Sequence, residues 1–232
     1  MLAIDSKNRA ATIVAAALFS SACSMSSPTL QETRELQTRI ADGGRFEIDA
    51  GAGSLTLNGD ENADAIQVRA EIYQTTANDD YTLTLDLRDG NRARLVADAA
   101  STLGGSDRID LSITVPEMLN VTIVDGSGSI RVEGLIGGLD IDDGSGSIRV
   151  STIQGSVVVE DGSGSIVVTG VSGNVSIDDG SGSISIKDAG GKVSVSDGSG
   201  SIDVDGADDF ELVDDGSGSV STRNIRSRST EK

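Results

Sequence analysis

The chain contains no histidine and no tryptophan, one cysteine, two prolines, two tyrosines and three phenylalanines in 232 residues. Each shortage excludes something. Without histidine there is no imidazole base for a Ser-His or Cys-His nucleophile and no imidazole metal ligand. A single cysteine leaves no partner for an intramolecular disulfide. So few aromatic rings leave little from which to build a sugar-stacking platform. The 29 glycines show no Gly-X-Y triplet period, which excludes a collagen-like chain. Ile and Val recur through the second half instead, so β-branched side chains fill the core and strands are favoured over helices.

Positive charge is also scarce. Lys and Arg total 18 against 37 Asp and Glu, for a formal charge of −19. That field repels phosphate backbones and anionic headgroups, so nucleic acid is a poor partner and a membrane attachment has to be covalent. Solubility of an exported protein explains the charge more simply than selection for a cationic partner does.

The N-terminus reads as an export signal spanning residues 1–22. Lys7 and Arg9 form a basic start, Ala10 to Phe19 is apolar, and Ser20-Ser21-Ala22 leads to Cys23. The apolar run is too short for a retained transmembrane helix. Ser-Ser-Ala-Cys resembles the lipobox of bacterial lipoproteins, with Ser20 where that pattern usually has Leu; Ser20 and Ala22 also suit ordinary signal-peptidase cleavage. The lone cysteine sits where the lipid would be attached, which favours Cys23 as a lipid anchor to the membrane. Ser24 follows it, and by resemblance to lipoprotein sorting the lack of Asp there implies the outer membrane, facing the periplasm or the cell surface. Residues 23–44 are then a tether and lead-in.

From residue 125 onward one feature dominates. Asp125, Asp143, Asp161, Asp179, Asp197 and Asp215 each open a DGSGS pentapeptide, at intervals of 18 residues. Counting each unit from its Asp, apolar residues occupy positions 6, 8, 11, 15 and 17, for example Ile148, Val150, Ile153, Val157 and Val159. Two pairs at spacing two are two short strands separated by glycine turns, so each unit is one coil of a stack. An apolar residue every six, as in a hexapeptide helix, is not found. The fold class expected is all-β, a single-chain parallel β-solenoid of 18 residues per coil, right-handed as parallel crossovers generally are.

The region 45–124 reads as an irregular N-terminal β cap continuous with the solenoid. Ala50 to Leu57 has the same G-x-G-S-apolar-x-apolar form, and Phe46 and Ile48 precede it at the spacing of positions 15 and 17. Ala65 to Tyr73, Tyr81 to Arg88, Arg92 to Ala97 and Ile109 to Val115 read as strands. The regular repeats fill 125–220. Phe210 and Leu212 slip by one residue against their predecessors, and 221–232 is expected to be a polar cap or tail that blunts an open edge.

The segment from Ile113-Thr-Val-Pro-Glu-Met-Leu-Asn-Val-Thr-Ile123, with the GSGSI-x-V and G-x-V-x-V segments that follow, resembles the "putative adhesin" family of bacterial β-strand-repeat proteins, a domain family of unknown function. The resemblance runs from about Arg45 to Val220. It implies a cell-envelope β-helix and transfers no catalytic residue.

The repeated carboxylates are the candidate chemistry. Asp125, Asp143, Asp161, Asp179, Asp197 and Asp215 would stack about 4.8 Å apart. Asp142, Glu160, Asp178 and Asp214 at position 18 would double the stripe. Such a stripe offers hard oxygen ligands to Ca²⁺. Capping of the following Gly and Ser amides explains the same aspartates without a metal, and outweighs it. Ser127, Ser145 and Ser163 recur in every coil with no base available, so they are turn residues rather than nucleophiles. No catalytic residue and no cofactor is expected.

The function expected is that of a non-enzymatic, adhesin-like envelope lipoprotein. It would present an acidic, Ser/Thr-rich strand surface to an envelope or extracellular macromolecule. The alternatives are a structural spacer without ligand, a calcium-binding β-roll-like module and, least favoured, a polysaccharide-active β-helix enzyme.

Overall fold

The computed structural model describes residues 27–78, 80–99 and 106–228, together with the backbone of a short strand at 13–16. Every regular element among them is a strand. In chain order these are β1 (Ile13–Ala16), β2 (Thr29–Thr38), β3 (Arg45–Asp60), β4 (Ile66–Gln74), β5 (Tyr81–Arg88) and β6 (Arg92–Ala99). They are followed by β7 (Arg108–Pro116), β8 (Asn120–Leu135), β9 (Leu139–Asp143), β10 (Gly146–Ile153), β11 (Val157–Asp161) and β12 (Gly164–Val171). The last are β13 (Val175–Asp179), β14 (Gly182–Ala189), β15 (Lys192–Asp197), β16 (Ser199–Asp214) and β17 (Ser217–Arg228).

The repeat makes the expected parallel β-solenoid. Ile148 of β10 stands between Ile130 of β8 and Ile166 of β12, each 18 residues away. Val159 of β11 stands likewise between Ile141 of β9 and Ile177 of β13. Identical positions therefore stack, and the backbone hydrogen bonds run between coils rather than within them. Alternation does the rest: β9, β11 and β13 share one pattern of burial, inward at positions 15, 17 and 1, outward at 16 and 18. Position 11, held by Leu135, Ile153, Val171, Ala189 and Ala207, is buried at the corner between the two faces.

Two turns close each coil. The first is DGSG, whose second glycine lies at a φ of 143° to 155° in Gly128, Gly146, Gly164, Gly182 and Gly200. The second follows position 10, and every occupant of that position is left-handed: Gly134, Thr152, Gly170, Asp188, Gly206 and Asn224. Only some of these are glycine, so the composition of the second turn hides a conformational repeat as regular as the first.

The degenerate coil at Arg45 is real. β3 pairs with β8 in parallel, Phe46 against Val121, Ile48 against Ile123 and Leu55 against Ile130. On its other side, the first half of β3 pairs with β6 and the second half with β7. β6 and β7 are thus the halves of one further coil, yet they follow β3 in the chain. Stacking order and chain order differ: the β6–β7 layer lies beneath β3, and β8 lies above it. This inversion is invisible in the repeat spacing, because it depends on the antiparallel excursions of β4 against β7 and β5 against β6.

The lead-in carries structure of its own. β2 pairs antiparallel with β4, and β1, from the apolar stretch read as leader, pairs with β2. Cys23 lies outside the described residues. At the other end Phe210 opposes Val193 across 17 residues, the expected slip, with the register shift between Val195 and Ser196. The polar tail is a strand: β17 continues in parallel register along β16 as far as Arg228, with Ile225 opposite Ala207.

The core is one continuous cluster running from Leu36 to Phe210. Its position-15 column reads Ala93, Phe46, Val121, Leu139, Val157, Val175, Val193, Phe210. Phe46 and Phe210 are the largest side chains buried at under 2 to 3% exposure, and they bracket an interior of Val and Leu.

Candidate functional site

The six repeat aspartates do not share one fate. Position 1 lies two residues beyond position 17, so the strand period that turns Ile141 and Val159 inward turns Asp143 and Asp161 inward as well. Asp125, Asp143, Asp161, Asp179 and Asp197 are buried, at 1 to 5% exposure. They stack in register, each against its counterpart in the next coil. Asp215 is exposed and stands outside the column; there Asp214 caps the turn, its Oδ1 accepting from the Gly216 N–H at 3.0 Å.

The double stripe expected from sequence does not form. Asp142, Glu160 and Asp178 are exposed on the outer side of the strands whose inner side carries Asp143, Asp161 and Asp179. Adjacent residues in an extended strand face opposite ways, which separates the two acidic columns by the thickness of the sheet.

Four of the five inward aspartates cap their own turns. The N–H of Ser145 donates to Oδ1 of Asp143 at 3.2 Å, Ser163 to Asp161 at 3.1 Å, Ser181 to Asp179 at 3.1 Å and Ser199 to Asp197 at 3.0 Å. This bond accounts for one carboxylate oxygen only. Oδ2 of Asp125, Asp143, Asp161 and Asp179 is buried with no hydrogen-bond partner. Burial changes the energetics of the stack. Neighbouring charges about 4.8 Å apart repel by about 0.9 kcal/mol in water but by about 3.5 kcal/mol at an effective dielectric constant of about 20.

The carboxyls respond accordingly. Burial, reinforced by the Asp143 charge, pushes Asp125 up to about 7. Burial, with the Asp161 charge, raises Asp143 to about 6 against the opposing Ser145 N–H. Burial likewise raises Asp179 to about 6, and Asp161 is raised for the same reason. Among the described residues no group of three or more His, Cys, Asp or Glu side chains is arranged to hold a metal ion.

Outside, the two strand faces of the regular coils carry different chemistry. β9, β11 and β13 expose Asp140, Asp142, Val158, Glu160, Ser176 and Asp178, and contain no Lys or Arg. β10, β12 and β14 turn Ser147, Arg149, Ser151, Thr169, Ser185 and Lys187 outward. Acids, expected to share one surface with hydroxyls, thus predominate on one face and hydroxyls on the other, with Ser176 and Asp188 as exceptions.

No family model matches the chain, and no curated protein matches it. Solved structures of similar form include a "putative cell adhesion protein" from Clostridium sporogenes, 11% identical, with a TM-score of 0.35, covering 85% of this chain and 99% of that one. A "putative adhesin" from Bacteroides fragilis is 13% identical, with a TM-score of 0.45 and coverage of 86% and 97%. A "putative lipid binding protein" from Parabacteroides distasonis is 12% identical, with a TM-score of 0.41 and the same coverage. The solenoid assignment rests on the strand register above and not on these likenesses.

Proposed function

We propose that this chain is an exported, non-enzymatic, adhesin-like protein of the bacterial cell envelope whose acidic strand face engages a cationic macromolecule. The observation carrying this reading is the in-register stacking that sets Asp140, Asp142, Glu160 and Asp178 on one flat face without an intervening Lys or Arg on their strands. Such a face attracts a basic partner at long range and presents repeated, pre-ordered carboxylates to it at short range. The leader-like N-terminus and Cys23 supply export and a lipid anchor in the outer membrane, and mass spectrometry of the mature N-terminus tests that part separately.

The test of the face is a pull-down from envelope fractions with the full chain and with a variant carrying Asp142→Lys, Glu160→Lys and Asp178→Lys. A partner held by the native face is released by rising salt and is missing from the variant. Equal recovery by both proteins moves the interface off this face. A structural spacer is the second reading, favoured by the uniformity of coils that carry the same length and register from Gly128 to Val204. For a spacer, envelope function falls in steps as whole coils are removed; for a binding face, it is abolished with the acidic residues.

A further inference from the structure

The buried column has one unexplained feature: four carboxylate oxygens, Oδ2 of Asp125, Asp143, Asp161 and Asp179, with no partner. Their side chains are nine-tenths or more buried. A buried acceptor that lacks a donor is costly, and four stacked ones cost more together, because every charge opposes its neighbours.

The surroundings offer no compensating cation. Beneath Asp125 the column continues as Ala50 of β3 and Ala97 of β6. Above Asp179 it ends at Asp197, and Ser196, the residue before it, stands opposite Asp214 of β16. Asp142 and Asp178, whose charges bear on Asp143 and Asp179, point outward and are acidic themselves. On the strands of the opposite face, Arg131, Arg149 and Lys187 are exposed, as is Lys192 at the start of β15. Among the described residues, every buried charged side chain is an aspartate. The cation that would neutralise the column must therefore come from solution and be satisfied by few oxygens. Ca²⁺ and Mg²⁺ take six or more oxygen ligands, whereas a proton needs one oxygen to hold it and one to accept its hydrogen bond.

We propose that Asp125, Asp143, Asp161 and Asp179 form a proton-holding ladder in which a carboxyl that keeps its proton donates it to an unpartnered oxygen of the carboxylate in the adjoining coil, directly or through one water. No bond other than the O–H is made or broken: each proton is taken from solvent as the coils assemble and returned when they separate. Winding of the repeats is thereby coupled to proton uptake. The raised carboxyls set the sign. Groups whose folded pKa exceeds the unfolded value give stability that is fully present below the unfolded value and is lost as pH rises through the folded one. The window here runs from the ordinary carboxyl range up to about 6 to about 7. The solenoid is tightened by acidification across it.

Infrared titration of the intact protein tests the ladder without any substitution. The expected result is the carbonyl stretch of a protonated carboxylic acid persisting at about pH 6, where an ordinary Asp is ionised, and about two protons taken up per molecule on refolding near pH 5.5. A variant with Asp125→Asn, Asp143→Asn, Asp161→Asn and Asp179→Asn should lose that band. Its urea midpoint should barely differ between about pH 5 and about pH 8, whereas the parent's midpoint is higher at the acidic end. A second variant with Asp140→Asn, Asp142→Asn, Glu160→Gln and Asp178→Asn removes the same number of charges from the surface and should keep both the band and the pH dependence. That control separates the ladder from relief of net negative charge. Absence of the band at about pH 6 in the parent protein overturns the proposal, and this reading stands even where the ladder variant fails to fold. So does loss of the band in excess Ca²⁺ accompanied by a higher midpoint, which would make the column a metal site.

Discussion

The carbonyl oxygen of Gly128 lies 1.7 Å from the point that a Cβ on Gly146 would occupy. The same approach recurs between Gly146 and Gly164, Gly164 and Gly182, and Gly182 and Gly200. Backbone touches backbone along this corner, and no flexible side chain can give way. The φ of 150° at Gly146 adds a second reason for glycine. Gly146→Ala is therefore expected to cost about 2 to 4 kcal/mol in urea denaturation. Gly90→Ala, at a φ of 67° with open space around it, tests the conformational part alone and should cost about 1 kcal/mol.

Thr152 sits in the left-handed column at a φ of 57°, where its counterparts are mostly Gly, Asn or Asp. A β-branched residue is poorly suited to that conformation. Thr152→Gly should raise stability by about 0.5 to 1 kcal/mol, seen as a shift in the urea midpoint without a change in slope.

Ile148 is 1% exposed and contacts its equivalents above and below. Ile148→Ala should cost about 2 to 5 kcal/mol and Ile148→Val about 0.5 to 1.5 kcal/mol. Because Ile166 shares the same column, the double variant Ile148→Ala with Ile166→Ala should deviate from additivity, which a double-mutant cycle measures.

Removal of residues 144–161 takes out one full period and leaves Asp143 followed by the Gly162 that occupies the equivalent place. Position 18 would still face out and position 1 in. Circular dichroism should report an unchanged strand signature and a modest loss of stability. Removal of 144–160, one residue fewer, leaves an extra residue that has to be absorbed as a bulge, as the 17-residue interval between Val193 and Phe210 is, and should cost more stability than removal of the whole period.

The solenoid itself was legible because the 18-residue period carried both glycine turns and apolar pairs, and positions 6, 8, 11, 15 and 17 are all interior. Phe46 and Ile48 revealed the coil of β3 for the same reason. The β6–β7 coil was not legible: Arg92 to Ala97 and Ile109 to Val115 read as strands, but nothing local says which side of β3 they take. The left-handed column escaped because Thr152, Asp188 and Asn224 replace the glycines that would have marked it. The burial of the aspartates was present in the spacing, since Asp143 stands two residues from Ile141, yet charge on a turn residue suggests a solvent-facing stripe. Alternation decides in favour of the interior, and the Ser145 amide makes that tolerable.

Phe46 and Phe210 also give the regular coils two flanks unlike their middle. Copies of the coil between them present the same surfaces above and below, so unequal exchange within the gene can add or drop a copy while the flanking layers stay as they are. Each gain lengthens the rod by about 4.8 Å. Length is in this way a heritable quantity, adjustable in fixed increments without inventing a new residue.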